Sequence, residues 1–324
     1  MLRLAICGAG RWGTRLIESV YGKSDRVAFT TVVTRDPAGK RALADRFGLK
    51  LTASYAEVLA DPAIDAILLA TPHSQHAAET IAAAKAGKHV FCEKPFTLTR
   101  GEAEAAIEAC RTAGVTLQIG FNRRHAPAYV DMVRRIAAGE IGALRHIEGQ
   151  FSGPRSYQID ANNWRSNQVE SPGGSMTARG VHVIDSMVNL AGLVTTVFAF
   201  SGRLQLAIDV DDTTSCLLRF AGGVTGYLGT LHVASQFYRI HAFGSEGALE
   251  MRGENELLAS DLAGAVQRHT FDPVDKERAI LEAFAAAIAQ GTRFPTAPDA
   301  IVNNVAVMQA VAASSRSGQM VAIA

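Results

Sequence analysis

A glutamate and a lysine stand together where a short apolar segment of the chain stops. His89–Cys92 contains the β-favouring residues Val and Phe, and Pro95 has no N–H to continue a strand, which predicts a buried strand ending in Glu93-Lys94. In open α/β sheets, ligands bind beyond the carboxyl ends of the strands. A lysine held there beside a glutamate suits the binding of a substrate oxygen or the exchange of a proton with it. A surface turn would contain the same residues, so the surrounding elements decide between the two interpretations.

A second group of polar residues falls on one face of a predicted helix in the middle of the chain. Positions 178, 179, 182, 185 and 186 share that face at three- and four-residue spacing, and they carry Ala, Arg, His, Asp and Ser. The face is too polar for a core and follows Gly173-Gly174. It predicts a site role for His182, with Arg179 and Asp185 beside it. A purely structural histidine is the alternative that these residues leave open.

The amino terminus carries a glycine motif in the context that dinucleotide binding requires. Gly8-Ala9-Gly10-Arg11-Trp12-Gly13 follows the predicted strand Leu2–Cys7 and opens a helix. Gly8 permits the tight turn, Gly10 lets a pyrophosphate approach the backbone, and Gly13 lets helix and strand pack closely. A glycine-rich turn without a ligand is the alternative.

The end of the second predicted strand bears on which dinucleotide binds. NAD-binding folds normally place an acidic residue about 20 residues past the glycines. Here Thr34-Arg35 holds that place, and a hydroxyl followed by a planar guanidinium favours the 2′-phosphate of NADP over NAD. Asp36 stays open as a ribose ligand or as the cap of a helix beginning at Pro37.

Polar residues also follow the predicted strand Ile64–Ala70. Thr71 lies where that strand meets a helix, so its hydroxyl is expected to reach the cofactor. His73 and His76 have a three-residue spacing that metal sites use, but nothing nearby supplies a third ligand. We therefore predict no metal site.

Strands and helices alternate regularly from Leu2 to Gly120, as a doubly wound parallel sheet requires. This predicts a Rossmann domain over residues 1–121. The remainder, residues 122–324, is predicted to be an α+β domain with a large, mostly antiparallel sheet, so the fold class is α/β followed by α+β. Its predicted strands are Leu144–Gly153, Val194–Gly202, Thr213–Phe220, Val224–Val233, Tyr238–Phe243 and Ala248–Met251. The last helices, around Asp275–Gln290 and Ala297–Ser315, are expected to pack against one of the domains.

Composition narrows the class of protein and its partners. With 324 residues, 48% hydrophobic and 19% charged, the chain is long enough for two globular domains. A net charge of +1 gives no reason to expect nucleic acid or an anionic membrane as a partner. The longest uncharged segment, Ser186–Gly202, is too short and too polar to span a bilayer. The widely spaced cysteines at 7, 92, 110 and 216 fit a reducing compartment, so we expect a cytoplasmic protein.

These motifs together resemble the Gfo/Idh/MocA family of oxidoreductases over essentially the whole chain. Besides the glycine turn and Glu93-Lys94-Pro95, the matching segments are Thr71–His76, Gly120–Arg124, Trp164-Arg165, Gly173-Gly174, Gly180-x-His182-x-x-Asp185 and Phe294–Thr296. The resemblance implies a Rossmann domain, an open-faced sheet domain and bound NADP or NAD. It further implies a dehydrogenase or reductase that transfers hydride to or from a sugar, polyol or related hydroxy or keto compound. A homodimer or homotetramer packed through the second sheet is expected as well, because strands such as Thr225–Val233 mix apolar and small residues on the face that helices leave uncovered.

The resemblance also assigns roles to individual residues. It implies that Lys94 contacts the nicotinamide side and the reacting hydroxyl, and that His182 is the acid/base or its close support. Substrate contacts are predicted for Asn122, Arg179 and Asp185. The predicted cofactor contacts are Gly8, Gly10, Arg11, Trp12, Gly13, Thr34, Arg35, Thr71, Pro72, His76, Glu93, Lys94 and Arg165.

One position departs from the family pattern. Members with a full Lys-Asp-His set usually carry an aspartate four residues before the helix histidine, and here that residue is Ala178. Asp185 is the nearest substitute, and Arg179 is a candidate reader of an anionic substrate group. Two other functions stay open: a cofactor-retaining glycoside hydrolase of the same family, and a dinucleotide-binding regulator without turnover.

Overall fold

The computed structural model describes residues 1–154 and 161–323, which divide into two compact units. The first unit comprises Met1–Thr97, Gly101–Asn122 and Asp275–Pro298; the second comprises Leu98–Arg100, Arg123–Val274 and Asp299–Ala324. The predicted boundary after residue 121 therefore misses the return of the chain to the first unit at Asp275. The α-helices are α1 (Arg11–Val20), α2 (Arg41–Phe47), α3 (Tyr55–Ala60), α4 (His76–Lys85), α5 (Arg100–Ala113), α6 (Pro127–Ala137), α7 (Val181–Ala191), α8 (Lys276–Ala289) and α9 (Pro298–Ser317).

The first unit is built on a six-stranded parallel sheet in the order β3-β2-β1-β4-β5-β6. Its strands are β1 (Leu2–Cys7), β2 (Val27–Val33), β3 (Lys50–Thr52), β4 (Ala66–Leu69), β5 (His89–Cys92) and β6 (Leu117–Ile119). The strand order reverses between β1 and β4, and doubly wound folds bind dinucleotides at such a reversal. The predicted Rossmann sheet is confirmed. The short elements β3 and α3 were not predicted, because three and six residues carry too little periodicity.

Apolar strands and two helices form the core of this unit. Leu4 and Ile6 on one face of the sheet, and Ala5 and Ile67 on the other, are fully buried, as a parallel sheet covered on both faces requires. Helices α1 and α8 complete the same core, and the rings of Phe91 and Phe284 lie 5.8 Å apart. Helix α8, which comes late in the chain, is therefore part of the Rossmann unit.

The second unit is built on a nine-stranded sheet in the order β14-β13-β12-β11-β7-β10-β9-β8-β15. Only the β7–β10 pair is parallel among the described pairs, so the predicted, mostly antiparallel sheet is confirmed. Its strands are β7 (Leu144–Ser152), β8 (Val194–Gly202), β9 (Thr213–Phe220), β10 (Thr225–Leu231), β11 (Phe237–Gly244), β12 (Gly247–Arg252), β13 (Glu256–Asp261), β14 (Val266–Thr270) and β15 (Val321–Ala322). The last three strands were not predicted, because they are short or half polar at the ends of the sheet.

Close packing fixes the helix that carries His182 against this sheet. A Cβ on Gly149 of β7 would lie 2.2 Å from a methyl carbon of Val183, so glycine lets α7 approach the strand. Helix α9 is tied to β8, where Asn303 accepts from the Val194 N–H and donates to its carbonyl, each at 2.9 Å. Among the residues that the structure describes, no helix is long and apolar enough to cross a membrane.

Candidate active site

The turn between β1 and α1 has the shape that a dinucleotide requires. Gly8 adopts a φ of +93°, and a Cβ there would lie 2.5 Å from the carbonyl oxygen of Ala70. A Cβ on Gly13 would lie 2.1 Å from the carbonyl oxygen of Gly8, so α1 packs at a distance that only glycine allows. At exposed Gly10, no described atom lies within 4 Å of such a Cβ. The space over Gly10 and the first N–H groups of α1 fit a pyrophosphate.

Polar residues follow β2 at its carboxyl end. The Thr34 N–H donates to the Thr52 carbonyl at 3.0 Å, and the Arg35 side chain is exposed. Asp36 accepts from the Gly39 N–H at 2.9 Å, so its carboxylate holds the backbone of the next turn. Of the two roles considered for Asp36, the capping role is the one that the structure contains.

Hydrogen bonds within the first unit hold the turn after β4 in place. The Thr71 hydroxyl donates to the Glu79 carboxylate at 2.5 Å. The ring nitrogens of fully buried His76 lie 3.0 Å from the Pro95 carbonyl oxygen and 3.1 Å from that of Thr71. Both polar groups therefore have partners within the protein, and the cofactor contacts predicted for Thr71 and His76 stay predictions. Both side chains fix the backbone of the turn, in which half-buried Pro72 lies.

Glu93 and Lys94 follow β5 at the carboxyl edge of the sheet, in the unit that contains the glycine turn. Glu93 is 6% exposed and Lys94 is half-buried. The Glu93 carboxylate lies against Gly120, where a Cβ would come within 2.8 Å of its oxygen, and it accepts from the Lys94 backbone N–H at 3.3 Å. Burial raises the pKa of Glu93, against the opposing effects of the Lys94 ammonium and the Trp12 indole. A carboxyl group fixed beside Lys94 stabilises positive charge there.

Asn122, whose predicted substrate contact stays a prediction, has a partner within the first unit. Its side chain is buried, and Nδ2 donates to the Glu277 carboxylate at 2.9 Å. Glu277 also accepts from Arg15 at 2.8 Å. Asn122 therefore ties the end of β6 to α8. No sequence spacing indicates this contact, because Asn122 and Glu277 are 155 residues apart.

Three predicted cofactor residues have exposed or half-buried side chains. Arg11 is exposed at the start of α1, and Trp12 beside it is half-buried. Arg165 belongs to the second unit, where its guanidinium carbon lies 3.9 Å above the Trp164 ring. The cofactor contacts of these three residues stay predictions.

The polar face predicted in the second unit is buried. A π turn at Met176–Gly180 leads into α7, so the predicted face is not carried by one regular α-helix, and Arg179 lies in the wider turn. Arg179, His182 and Asp185 are 8%, 7% and 5% exposed. Buried polar side chains need partners within the protein.

Arg179 contacts His232, which is not among the predicted site residues. Its Nη1 lies 2.6 Å from Nδ1 of buried His232. Burial, and then the Arg179 guanidinium, lower the pKa of His232 to about 4. The imidazole is therefore neutral near pH 7 and accepts the hydrogen bond. The available signal was a polar residue at an inward position of the predicted strand Val224–Val233.

Asp185 is engaged by Arg124. The guanidinium donates from Nε and Nη2 to both Asp185 oxygens, each at 2.8 Å. Burial raises the pKa of Asp185, and the Arg124 guanidinium opposes that rise. This bidentate pair engages both carboxylate oxygens. The predicted substrate contact of Asp185, and its suggested substitution for a carboxylate at Ala178, stay predictions.

The ring of Phe151 at the end of β7 gathers the remaining polar groups. The guanidinium carbons of Arg123 and Arg179 lie 4.3 and 5.6 Å from its centroid, and the His182 ring lies 6.3 Å away. Cation–π attraction holds such groups in place. His182 and the two guanidinium groups therefore all lie around one aromatic ring. No grouping of three or more His, Cys, Asp or Glu suited to a metal ion occurs in the described ranges.

Comparison with known proteins identifies the family. Residues 2–121 match the model described as oxidoreductase family, NAD-binding Rossmann fold, and residues 129–250 match the GFO/IDH/MocA C-terminal domain. The scyllo-inositol 2-dehydrogenase (NAD(+)) of Bacillus subtilis is 33% identical over 263 residues, or 76% of this chain and 73% of that protein. The chain belongs to the Gfo/Idh/MocA family.

Two other proteins align with this Gfo/Idh/MocA member over nearly its whole length. The D-xylose 1-dehydrogenase (NADP(+)) 2 of Haloferax volcanii is 28% identical over 335 residues, covering 99% of each chain. The crystal structure of a proposed NADPH-dependent oxidoreductase from Desulfitobacterium hafniense superposes with a TM-score of 0.92 and 26% identity, over 99% of this chain and 97% of that one. The family's nicotinamide cofactor, when bound, supplies or accepts the hydride.

Proposed function

We propose that this chain transfers hydride between a nicotinamide cofactor and a carbinol carbon of a sugar, polyol or related hydroxy or keto compound. The observation that carries the proposal is Lys94, half-buried at the carboxyl edge of the Rossmann sheet with the buried Glu93 carboxyl behind it. The names of the two relatives, dehydrogenases of scyllo-inositol and D-xylose, support this substrate class. They support it over glycoside hydrolysis or a regulator without turnover.

In this proposal two side chains divide the proton chemistry. Hydride leaves a carbinol carbon as its hydroxyl proton is removed, so a base must lie within about 3 Å of that oxygen. Lys94 aligns the substrate oxygen and exchanges a proton with it, and its ammonium form stabilises the developing alkoxide. His182 is the acid/base or its support in the second unit. Residue 178 is alanine, so the aspartate that the family resemblance places four residues before the histidine is not at that position.

The test is a screen of nicotinamide absorbance with both cofactors against D-xylose, inositols, levoglucosan and sugar acids. Lys94→Met should lose about a hundredfold to ten-thousandfold in turnover while still binding cofactor, because a positioned acid/base is lost. His182→Ala should lose less. Near-normal turnover by Lys94→Met contradicts the proposed site. Glycoside cleavage without net cofactor change would favour the hydrolase.

We further propose NADP as the preferred cofactor. Arg35 supports it, because an exposed guanidinium at the carboxyl end of β2 matches the position of a 2′-phosphate. The two named relatives carry NAD(+) and NADP(+) in their names, so family membership does not decide the preference.

A cytoplasmic homodimer or homotetramer is our proposal for the assembly. On the sheet face of the second unit that includes Phe200, Leu217 and Tyr227, these side chains are 68%, 59% and 39% exposed, and Leu217 pairs with Tyr227 across strands. We call this apolar part of the sheet the open face. An apolar patch of this kind supports self-association. The four buried, unbridged cysteines support a reducing compartment.

A further inference from the structure

A buried carboxylate from the returning helix α8 lies in the Rossmann unit and has no role in the proposal above. Glu277, in the first turn of α8, is 7% exposed. One of its oxygens accepts from Asn122 Nδ2 at 2.9 Å, and the other accepts from Arg15 Nη2 at 2.8 Å. An ionised carboxylate remains buried only with partners of this kind.

The two partners of Glu277 belong to the elements that enclose Glu93. Asn122 comes two residues after Gly120, whose Cα lies against the Glu93 carboxylate. Arg15 lies one turn after Trp12 on α1, and the Trp12 indole acts on the same carboxylate. Hydrogen bonds to Glu277 therefore fasten two of the walls that fix Glu93.

The charge of Glu277 also reaches Glu93. Burial raises the pKa of Glu93 most, and the Glu277 carboxylate raises it further. The charged groups in this cluster are Lys94 at the end of β5, Arg15 on α1, and Glu277 with Asp275 at the start of α8. Three carboxyl groups, including that of Glu93, and two cations thus lie in one cluster of the first unit.

We propose that Glu277 is a positioning residue for Lys94, holding the ends of α1 and β6 against Glu93 and adding a second negative charge behind the Glu93–Lys94 pair. The proposal rests on the proposed role of Lys94 in proton exchange. A nearby negative charge favours an ammonium over an amine, so Glu277 sets the pH range in which Lys94 carries its proton.

The experiment follows the titration of Lys94 without using a substrate. The purified full-length protein is labelled with a trace of acetic anhydride across a pH series, and mass spectrometry of the Lys94 peptide gives the midpoint of its reactivity. Glu277→Gln removes the charge and retains the shape. The midpoint should fall by roughly half to one pH unit. Arg15→Gln removes the counter-charge instead, so the midpoint should move upward.

The control is a carboxylate of the same unit at the amino ends of the strands. Asp65 precedes β4 and pairs with Arg3 at 2.6 Å, so Asp65→Asn should leave the Lys94 midpoint unchanged. Thermal melts identify variants that fail to fold. If Glu277→Gln fails to fold, the direction in which Arg15→Gln moves the Lys94 midpoint decides the test. A Lys94 midpoint equal to wild type in the folded variants overturns the inference. Because labelling needs no turnover, that outcome is separate from a failed substrate screen.

Discussion

At the scale of single residues, the second unit keeps one histidine neutral beside an arginine. His232 accepts from Arg179 at 2.6 Å, and protonation would place two cations at that distance. The pKa of His232 is about 4 in the folded protein, against 6.5 as the ordinary value. The unfolded chain therefore binds a proton at a higher pH than the folded chain does. Stability is lost as the pH falls from 6.5 towards 4, and the group has no effect above that window.

His232→Gln should reduce this acid sensitivity. Glutamine retains an acceptor for Arg179 but does not titrate, so the variant should avoid a loss of about 3 kcal/mol between pH 6.5 and 4. The measurement is the free energy of unfolding in urea at pH 7 and near pH 4. Equal acid-side losses in wild type and variant would show that His232 is not the titrating group.

A second prediction at this scale concerns Arg35 and cofactor choice. Arg35→Ala should weaken NADP about tenfold to a hundredfold and leave NAD nearly unchanged, because only NADP carries a phosphate for the guanidinium. Fluorescence titration with the two reduced cofactors gives the affinities. Arg26→Ala is the matched control, since that exposed arginine precedes β2 at the opposite edge of the sheet. Equal losses for both cofactors would contradict the assignment.

At the scale of elements, substitutions in the glycine turn distinguish its role in packing from its role in ligand binding. Gly13→Ala should destabilise the protein and abolish cofactor binding, because its Cβ would lie 2.1 Å from the backbone oxygen of Gly8. Gly10→Ala should keep the melting temperature and weaken the cofactor, because no described atom lies near that position. Gly101 lies in the first turn of α5 with similar open space, where glycine costs less than in a helix interior, so Gly101→Ala should stabilise by at most about 0.5 kcal/mol. Thermal melts with and without cofactor distinguish the three variants, and a stable Gly13→Ala that binds cofactor normally would refute the packing argument.

At the scale of the whole molecule, the open face predicts self-association. Leu217→Lys should shift the protein to monomers, because the change places a charge in the middle of an apolar contact surface. Light scattering coupled to size-exclusion chromatography at micromolar concentration measures the mass. Leu262→Lys makes the same change at a residue 76% exposed in the turn between β13 and β14, and should not alter the mass. A monomeric wild type would rule out this assembly.

Features that depend on neighbouring residues could be predicted from the sequence. Regular alternation of strands and helices predicted the Rossmann sheet, and Gly8 to Gly13 predicted the turn, because backbone conformation and pleat periodicity are local properties. The position of Glu93-Lys94 at a strand end followed from the same periodicity and Pro95. The first six strands of the second sheet were predictable for the same reason.

Long-range packing sets which side chains have partners elsewhere in the protein and which elements return to an earlier unit. Arg179 and His232 are 53 residues apart, Arg124 and Asp185 are 61, and Asn122 and Glu277 are 155. No spacing predicts such pairs, because they depend on how distant elements pack. That packing turned the Thr71 hydroxyl towards Glu79, paired Asp185 with an arginine and returned α8 to the Rossmann unit. Burial then set the charge state of each group, since the cost of removing a charge from water depends on the surroundings that folding supplies.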